Sequence, residues 1–198
     1  NKPMLENLIN KLELYNLKNI YISTFYKGNQ IKNYFKNGKR FNVNIKYTNE
    51  KKSLGTAGPL IFLNKIKSDN TIIINSDIFT NLDLNEMILN HLKKKNDLTI
   101  LSIQKKIFVD YGVLSIKNKK IFIDEKPHIN VNIMGGVYVV KNKILKSIIK
   151  PNEYLNMDEM IQRISNKNLK INIFNKDCYW ADLGTFDEIS NAEKIRFE

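Results

Sequence analysis

Helical and strand-like hydrophobic patterns alternate along the first half of this sequence, and that alternation restricts the chain to a layered α/β fold. Met4, Leu5, Leu8, Ile9, Leu12 and Leu14 recur mostly at three- and four-residue steps behind Pro3, which predicts an amphipathic helix. Residues 19–24 read as a buried strand. Ile31, Tyr34 and Phe35 mark a short helix ending near Gly38, and residues 43–47 alternate with the period of a strand. A helix is predicted over 57–66, then an apolar strand over 71–74 running into Asn75-Ser76-Asp77, then a helix over 84–95 whose closing lysines suit a helix C-terminus.

From Asp97 the pattern turns richer in strands, at 98–103, 112–116, 121–124 and 137–140. Helices follow over 144–149 and 156–165, a strand over 170–174 and a last helix over 186–195. No Pro/Ser-rich linker, repeat or low-complexity block divides the chain, so residues 1–198 read as one domain. The opening is unusual. Phosphate-binding α/β domains begin with a strand leading into a glycine-rich loop, whereas this chain begins with a helix and contains neither G-x-x-x-x-G-K-[ST] nor G-x-G-x-x-G. Either phosphates are held by other means or an N-terminal strand and loop are missing.

Composition excludes some partners. Apolar runs fall far short of the ~20 residues of a membrane helix, and the N-terminus has no basic-then-apolar export pattern. With Cys178 as the single cysteine no internal disulfide can form, and a cytoplasmic setting is expected. The net charge of +12 comes from 32 basic residues, of which Arg40, Arg163 and Arg196 are the arginines. Lysine lacks the planar fork that reads phosphates and bases, and the lysines are scattered, so a solvated surface rather than a nucleic-acid site is the reading.

Five short motifs carry the chemistry. Asn75-Ser76-Asp77 ends an apolar strand, where α/β sheets collect ligands; Asp77 there either holds Mg²⁺ or caps the next segment. Trp180-Ala181-Asp182-Leu183-Gly184-Thr185 supplies a second aspartate just before a predicted helix; either Asp182 or Thr185 is simply its N-cap, or Asp182 joins Asp77, since two carboxylates round one ion could neutralise a phosphoryl centre. Leu54-Gly55-Thr56-Ala57-Gly58 is either a loop offering backbone groups to a base edge, with Glu50 just upstream, or a plain glycine turn. Glu125-Lys126-Pro127 is either a surface ion pair or a ligand clamp, the latter only if the strand stops or bends there, as Pro127 would allow. Tyr111-Gly112-Val113, like Gly135-Gly136, either brings backbone close to a substrate or forms a bulge. His91 reads as a surface residue, Cys178 as core, and His128 is assigned no role.

In this order and spacing the motifs resemble the sugar-1-phosphate nucleotidyltransferase family, most closely its mannose-1-phosphate guanylyltransferase branch. The resemblance implies a Rossmann-like three-layer α/β/α domain with a mixed, mainly parallel sheet. Residues 1–96 would form the nucleotide-binding half and 97–198 the sugar-phosphate-binding half. The implied reaction joins an NTP, here GTP, to a sugar 1-phosphate and releases pyrophosphate. Glu50, Gly55 and Thr56 would contact the base. Asp77 and Asp182 would be the catalytic residues and hold Mg²⁺. Gly112, Glu125 and Gly135 would line the sugar, with Lys126 at its phosphate. Homo-oligomers are compatible with it.

Three departures stand out. The family's Gly-Gly-x-Gly-Thr-Arg loop and its following lysine have no counterpart here, Met134 replaces a frequent asparagine, and Asn156 a frequent aspartate. The sequence is therefore expected to lack a central strand, leaving neighbouring strand edges unpaired, and by itself to be poorly active. A non-catalytic nucleotide-sugar-binding module of the same fold is the alternative.

Overall fold

The computed structural model describes residues 3–184. Its helices and strands run α1 (Met4–Leu14), β1 (Asn19–Thr24), α2 (Gly28–Phe35), β2 (Asn44–Asn49), a 3₁₀ segment (Gly58–Lys65), β3 (Asn70–Ile74), β4 (Ile78–Thr80), α3 (Leu84–Lys93), β5 (Leu98–Phe108), β6 (Gly112–Lys117), β7 (Lys120–Glu125), β8 (His128–Lys141), α4 (Asn142–Ile148), α5 (Met157–Asn166), β9 (Ile171–Asn175) and β10 (Trp180–Asp182). A further 3₁₀ turn covers Lys39–Phe41.

The central sheet has the order β3-β8-β5-β9. β8 is antiparallel to both β3 and β5, and β9 is parallel to β5, so three of the four strands run one way and β8 alone opposes them. This is the expected mixed sheet. Alternation sends side chains to both faces. Leu98, Ile100, Tyr138 and Val140 pack beneath α4, α5 and the 3₁₀ segment, while Leu101, Ile103, Val137 and Val139 pack with Leu84 and Met87 of α3 and Leu12 of α1. Each fully buried aliphatic side chain in these layers is worth roughly 1.5–3 kcal/mol. A third cluster, with Ile9, Ile22, Phe35 and Ile45, seals α1 and α2 onto the parallel pair β1–β2.

The β1–β2 pair and the four-stranded sheet are separate, and a cavity of about 480 Å³ lies between β1 and β3. Leu5, Leu8 and Leu12 of α1 line one side and Pro59, Leu60 and Leu63 the other. Among the described residues, β1 pairs only with β2 and β3 only with β8, so each presents an edge without a strand partner.

Some boundaries differ from the sequence reading. Residues 58–65 form a 3₁₀ rather than an α-helix: Pro59 removes a donor at its start, and the N–H groups of Ala57 and Gly58 both go to Leu155 O instead of an intrahelical ladder. The strands expected over 98–103 and 137–140 are the buried ends of β5 and β8, whose solvent-exposed halves, residues 104–108 and 128–134, pair with each other beyond the core. The helix expected over 186–195 lies outside the described residues. Among the described residues no helix is long and apolar enough to cross a membrane.

His91 is not on the surface. It follows Met87 by four residues and Leu84 by seven, which puts it on the inward stripe of α3. It is 1% exposed, with Nδ1 2.9 Å from Thr99 Oγ1 and Nε2 3.1 Å from Asn70 Oδ1. Burial, reinforced by Lys141 and opposed by Asp97, lowers its pKa below the ordinary 6.5.

Candidate functional site

β3 ends at Ile74, and Asn75 N donates to Gly136 O at 2.9 Å, which turns the chain so that Asp77 stands at the carboxyl end of the strand. β4 follows at once and pairs antiparallel with β10, setting Asp182 opposite Ile78. Leu183 N donates to Asp77 O at 2.8 Å, and Gly184 N to Asp182 Oδ1 at 3.0 Å. The two carboxylates flank a common point. A Cβ placed on Gly184 would lie 3.1 Å from Asp182 Oδ1 and 3.8 Å from Asp77 Oδ2.

Glu50, Gly55, Thr56 and Asp77 line the same cavity, around the polar end of the slot between β1 and β3. The Glu50 carboxylate is held from two sides. Ser23 Oγ donates to Oε1 at 2.6 Å and Leu54 N to Oε2 at 2.8 Å, each oxygen keeping a further lone pair. Thr56 has a structural task as well: its Oγ1 accepts from Met157 N at 2.8 Å, supplementing the capping box of Asn156 and Glu159 at the start of α5. Gly55 sits at φ +76°, and a Cβ there would meet Leu155 O at 2.5 Å. The Leu54–Gly58 loop is therefore pressed against residues 153–156, a close approach that only glycine permits.

Residues 148–153, leading into that segment, are braced by Arg163. Its guanidinium forms a fork with the Glu153 carboxylate, Nη1 to Oε2 at 2.8 Å and Nη2 to Oε1 at 2.7 Å, and Nη1 also donates to Ile148 O at 3.0 Å. The Arg163 hydrogen bonds, with help from Lys150, pull the Glu153 pKa down from 4.5 to about 2.

Gly135 and Gly136 form a bulge, one of the two alternatives open for them in the sequence. The β5–β8 register shifts between Ile100 and Ser102, opposite this pair, and Gly136 adopts φ +68°. Trp180 Nε1 donates to Gly135 O at 2.8 Å, with the Lys105 ammonium 4.7 Å from the centre of the indole ring. This link between the bulge and the strand carrying Asp182 was not anticipated; its sequence signal is a tryptophan two residues before the aspartate on a three-residue strand.

Gly112, Glu125 and Lys126 gather at the base of the β6–β7 hairpin and do not line the cavity. Gly112 pairs with Glu125, and a Cβ on Gly112 would be 2.9 Å from Glu125 Oε2. β7 stops at Glu125, where a clamp would require it, and Lys126 just beyond has φ +48°. Its ammonium pairs with Asp110 at 2.7 Å in an exposed ion pair.

The donor set fits a magnesium ion. Mg²⁺ takes one or two protein carboxylates and fills the remaining positions with water and phosphate oxygens. Asp77 and Asp182 supply such a pair, and among the described residues no group of three or more His, Cys, Asp or Glu side chains forms a closed cage.

The nucleotidyl transferase family model matches residues 1–196. The D-glycero-alpha-D-manno-heptose 1-phosphate guanylyltransferase of Aneurinibacillus thermoaerophilus is 30% identical over 98% of this chain and 85% of its own length. The enzyme of the same name from Campylobacter jejuni is 27% identical, covering 92% and 81%. A UTP–glucose-1-phosphate uridylyltransferase of Synechocystis is 26% identical over 92% of this chain and 52% of its own length. The crystal structure of HddC from Yersinia pseudotuberculosis superposes with a TM-score of 0.77 at 23% identity over all of this chain and 86% of that one, a likeness of fold. With the family model spanning nearly the whole sequence over a mixed α/β sheet, the chain belongs to the nucleotidyl transferase family, among the sugar-1-phosphate nucleotidyltransferases.

Proposed function

We propose that this chain is a guanylyltransferase domain that joins GTP to a sugar 1-phosphate of manno configuration and releases pyrophosphate, with Mg²⁺ as cofactor, in the cytoplasm. The observation that carries the reading is the convergence of Asp77 and Asp182 beside Gly184, at the end of the cavity that Glu50, Gly55 and Thr56 also line. The choice of GTP and a manno sugar rests on the heptose 1-phosphate guanylyltransferases among the relatives.

In this reading residues 1–96 bind the nucleotide and 97–198 the sugar phosphate. Backbone groups of Gly55 and Thr56, with Glu50, face the base. A sugar-phosphate oxygen forms a bond to the α-phosphorus as the bond from that phosphorus to the bridging oxygen breaks, and the electron pair leaves on pyrophosphate. Magnesium bound to Asp77 and Asp182 would supply neutralisation of phosphate charge. The protein's own contribution is alignment and fixed electrostatics rather than proton transfer. Gly135 and Gly112 leave room for the sugar, Glu125 accepts from its hydroxyls, and Lys126 exchanges Asp110 for its phosphate. The slot between β1 and β3, each without a partner on its facing edge among the described residues, is read as the seat of the further strand that the family resemblance implies.

The test is incubation with Mg²⁺, GTP and either D-glycero-α-D-manno-heptose 1-phosphate or mannose 1-phosphate, following pyrophosphate and the GDP-sugar by mass spectrometry. UTP with glucose 1-phosphate serves as the competing pair, and a form extended at Asn1 by a Gly-Gly-x-Gly-Thr-Arg-bearing strand is run alongside. GDP-sugar formation, faster in the extended form, is expected. No nucleotide sugar from either form with any pair would overturn the proposal, and tight GDP-sugar binding in that case would favour the non-catalytic module.

A further inference from the structure

Parallel pairing of β1 with β2 sets Ser23 beside Thr48, and both residues line the cavity together with Glu50, which follows β2 directly. Glu50 is fixed at its backbone and at both carboxylate oxygens. Its N–H donates to Thr24 O at 3.1 Å, Ser23 Oγ donates to Oε1 at 2.6 Å, and Leu54 N donates to Oε2 at 2.8 Å. A carboxylate only accepts, so the Ser23 hydroxyl proton is committed to Glu50. The Ser23 oxygen is then left to accept from Thr48 Oγ1 at 3.0 Å. The order of donation, Thr48 to Ser23 to Glu50, is set by the carboxylate at its end.

In a chain of net charge +12, this carboxylate has no ion-pair partner among the described residues. Each of its oxygens accepts a single bond and retains acceptor capacity. The complement of such a group is a ligand edge with two N–H donors side by side. Guanine carries that edge, in its ring N–H and its amino group. Hypoxanthine and uracil offer a lone ring N–H, and adenine sets its amino group beside a ring acceptor. A carboxylate free to rotate meets one donor as readily as a fixed one does. To meet two donors at once it must give up that freedom, a cost that prior fixing removes.

We propose that Ser23, backed by Thr48, is a positioning residue that locks the Glu50 carboxylate to read the two-donor edge of guanine, so that the β1–β2 pair sets base selectivity. The inference rests on the guanylyltransferase reading and goes beyond it, placing the discrimination in a hydroxyl relay behind Glu50.

Isothermal titration calorimetry of the 198-residue protein with Mg²⁺ and GTP, ITP or UTP tests this. ITP differs from GTP only in lacking the amino group. The parent protein should bind GTP about tenfold or more tightly than ITP. Ser23→Ala should narrow that ratio to about threefold or less, mainly by weakening GTP. Thr48→Val should narrow it by a smaller amount, and Ser23→Thr, which keeps the hydroxyl, should preserve it. The Ser23 side chain is exposed, so the circular dichroism spectrum of Ser23→Ala should match the parent's. Equal weakening of GTP, ITP and UTP in Ser23→Ala would reduce Ser23 to a structural role and overturn the proposal. So would an unchanged GTP-to-ITP ratio, or a parent that prefers GTP to UTP without separating GTP from ITP. A parent with no preference for GTP over UTP would overturn the guanylyltransferase reading itself, and this inference with it.

Discussion

The indole N–H of Trp180 donates to the carbonyl oxygen of Gly135 at 2.8 Å, which ties the strand ending in Asp182 to the bulge in β8. In the proposed reaction those two places hold the metal and the sugar. Trp180→Phe keeps the packing but removes the donor, which costs about 1 kcal/mol. Steady-state kinetics should show KM for the sugar phosphate rising about five- to tenfold, with KM for GTP little changed. An equal effect on both would reduce Trp180 to a general packing residue.

Asp182→Asn and Asp77→Asn should each lower kcat by on the order of a hundredfold or more. The double variant should fall well short of the product of the two losses, because both act on one ion. Magnesium titrations of the initial rate check this, and a variant that keeps its magnesium dependence would remove that residue from the site.

Gly55→Ala should be destabilising on two counts, a non-glycine residue at φ +76° and a Cβ 2.5 Å from Leu155 O. A loss of about 1–3 kcal/mol is expected, or several degrees of melting temperature for a chain of this size. Scanning calorimetry measures it. The sequence marked this loop as either base-reading or a turn, and it lines the cavity while also being pinned to the 153–156 segment.

That double duty shows where the sequence was legible. Periodicity located most strands and helices, because burial on one face leaves a local trace, whereas the two aspartates were singled out by short motifs and the family resemblance those motifs carry. What it could not carry were relations between distant segments. Thr56 capping α5 across 101 residues leaves no periodic signal, and nor does the Trp180–Gly135 bond. His91 was misread because its lysine neighbours outweighed its place on the α3 stripe, where Thr99 and Asn70 satisfy it. For Glu125-Lys126-Pro127 the sequence left a surface ion pair open, but did not show that the partner of Lys126 would be Asp110, sixteen positions earlier and outside the motif.

His91 makes stability depend on pH. Burial lowers its folded pKa, so over the window below the ordinary 6.5 the unfolded chain binds the proton better. Stability contributed by neutral His91 is complete above that value and declines as pH falls. Melting temperature should drop between pH 7.5 and 5.5, and His91→Gln should lower it at pH 7.5 while flattening the slope. An unchanged slope in the variant would assign the effect to other groups.

Glu153 acts in a separate, more acidic range. With a folded pKa of about 2 against an ordinary 4.5, its contribution is present above 4.5 and is lost as pH falls toward 2. Glu153→Gln should weaken the protein at pH 7 and shrink the acid-induced loss between those limits, as measured by denaturant unfolding at several pH values.

The gap flanked by β1 and β3 ties conformational stability to occupancy. Any extended segment that hydrogen-bonds to both borders binds the folded chain and not the unfolded one, so folding and capture share a single equilibrium. Each tenfold excess of such a segment over its dissociation constant deepens the native well by about 1.4 kcal/mol. Thermal midpoints measured across a dilution series would then act as a binding isotherm for that groove.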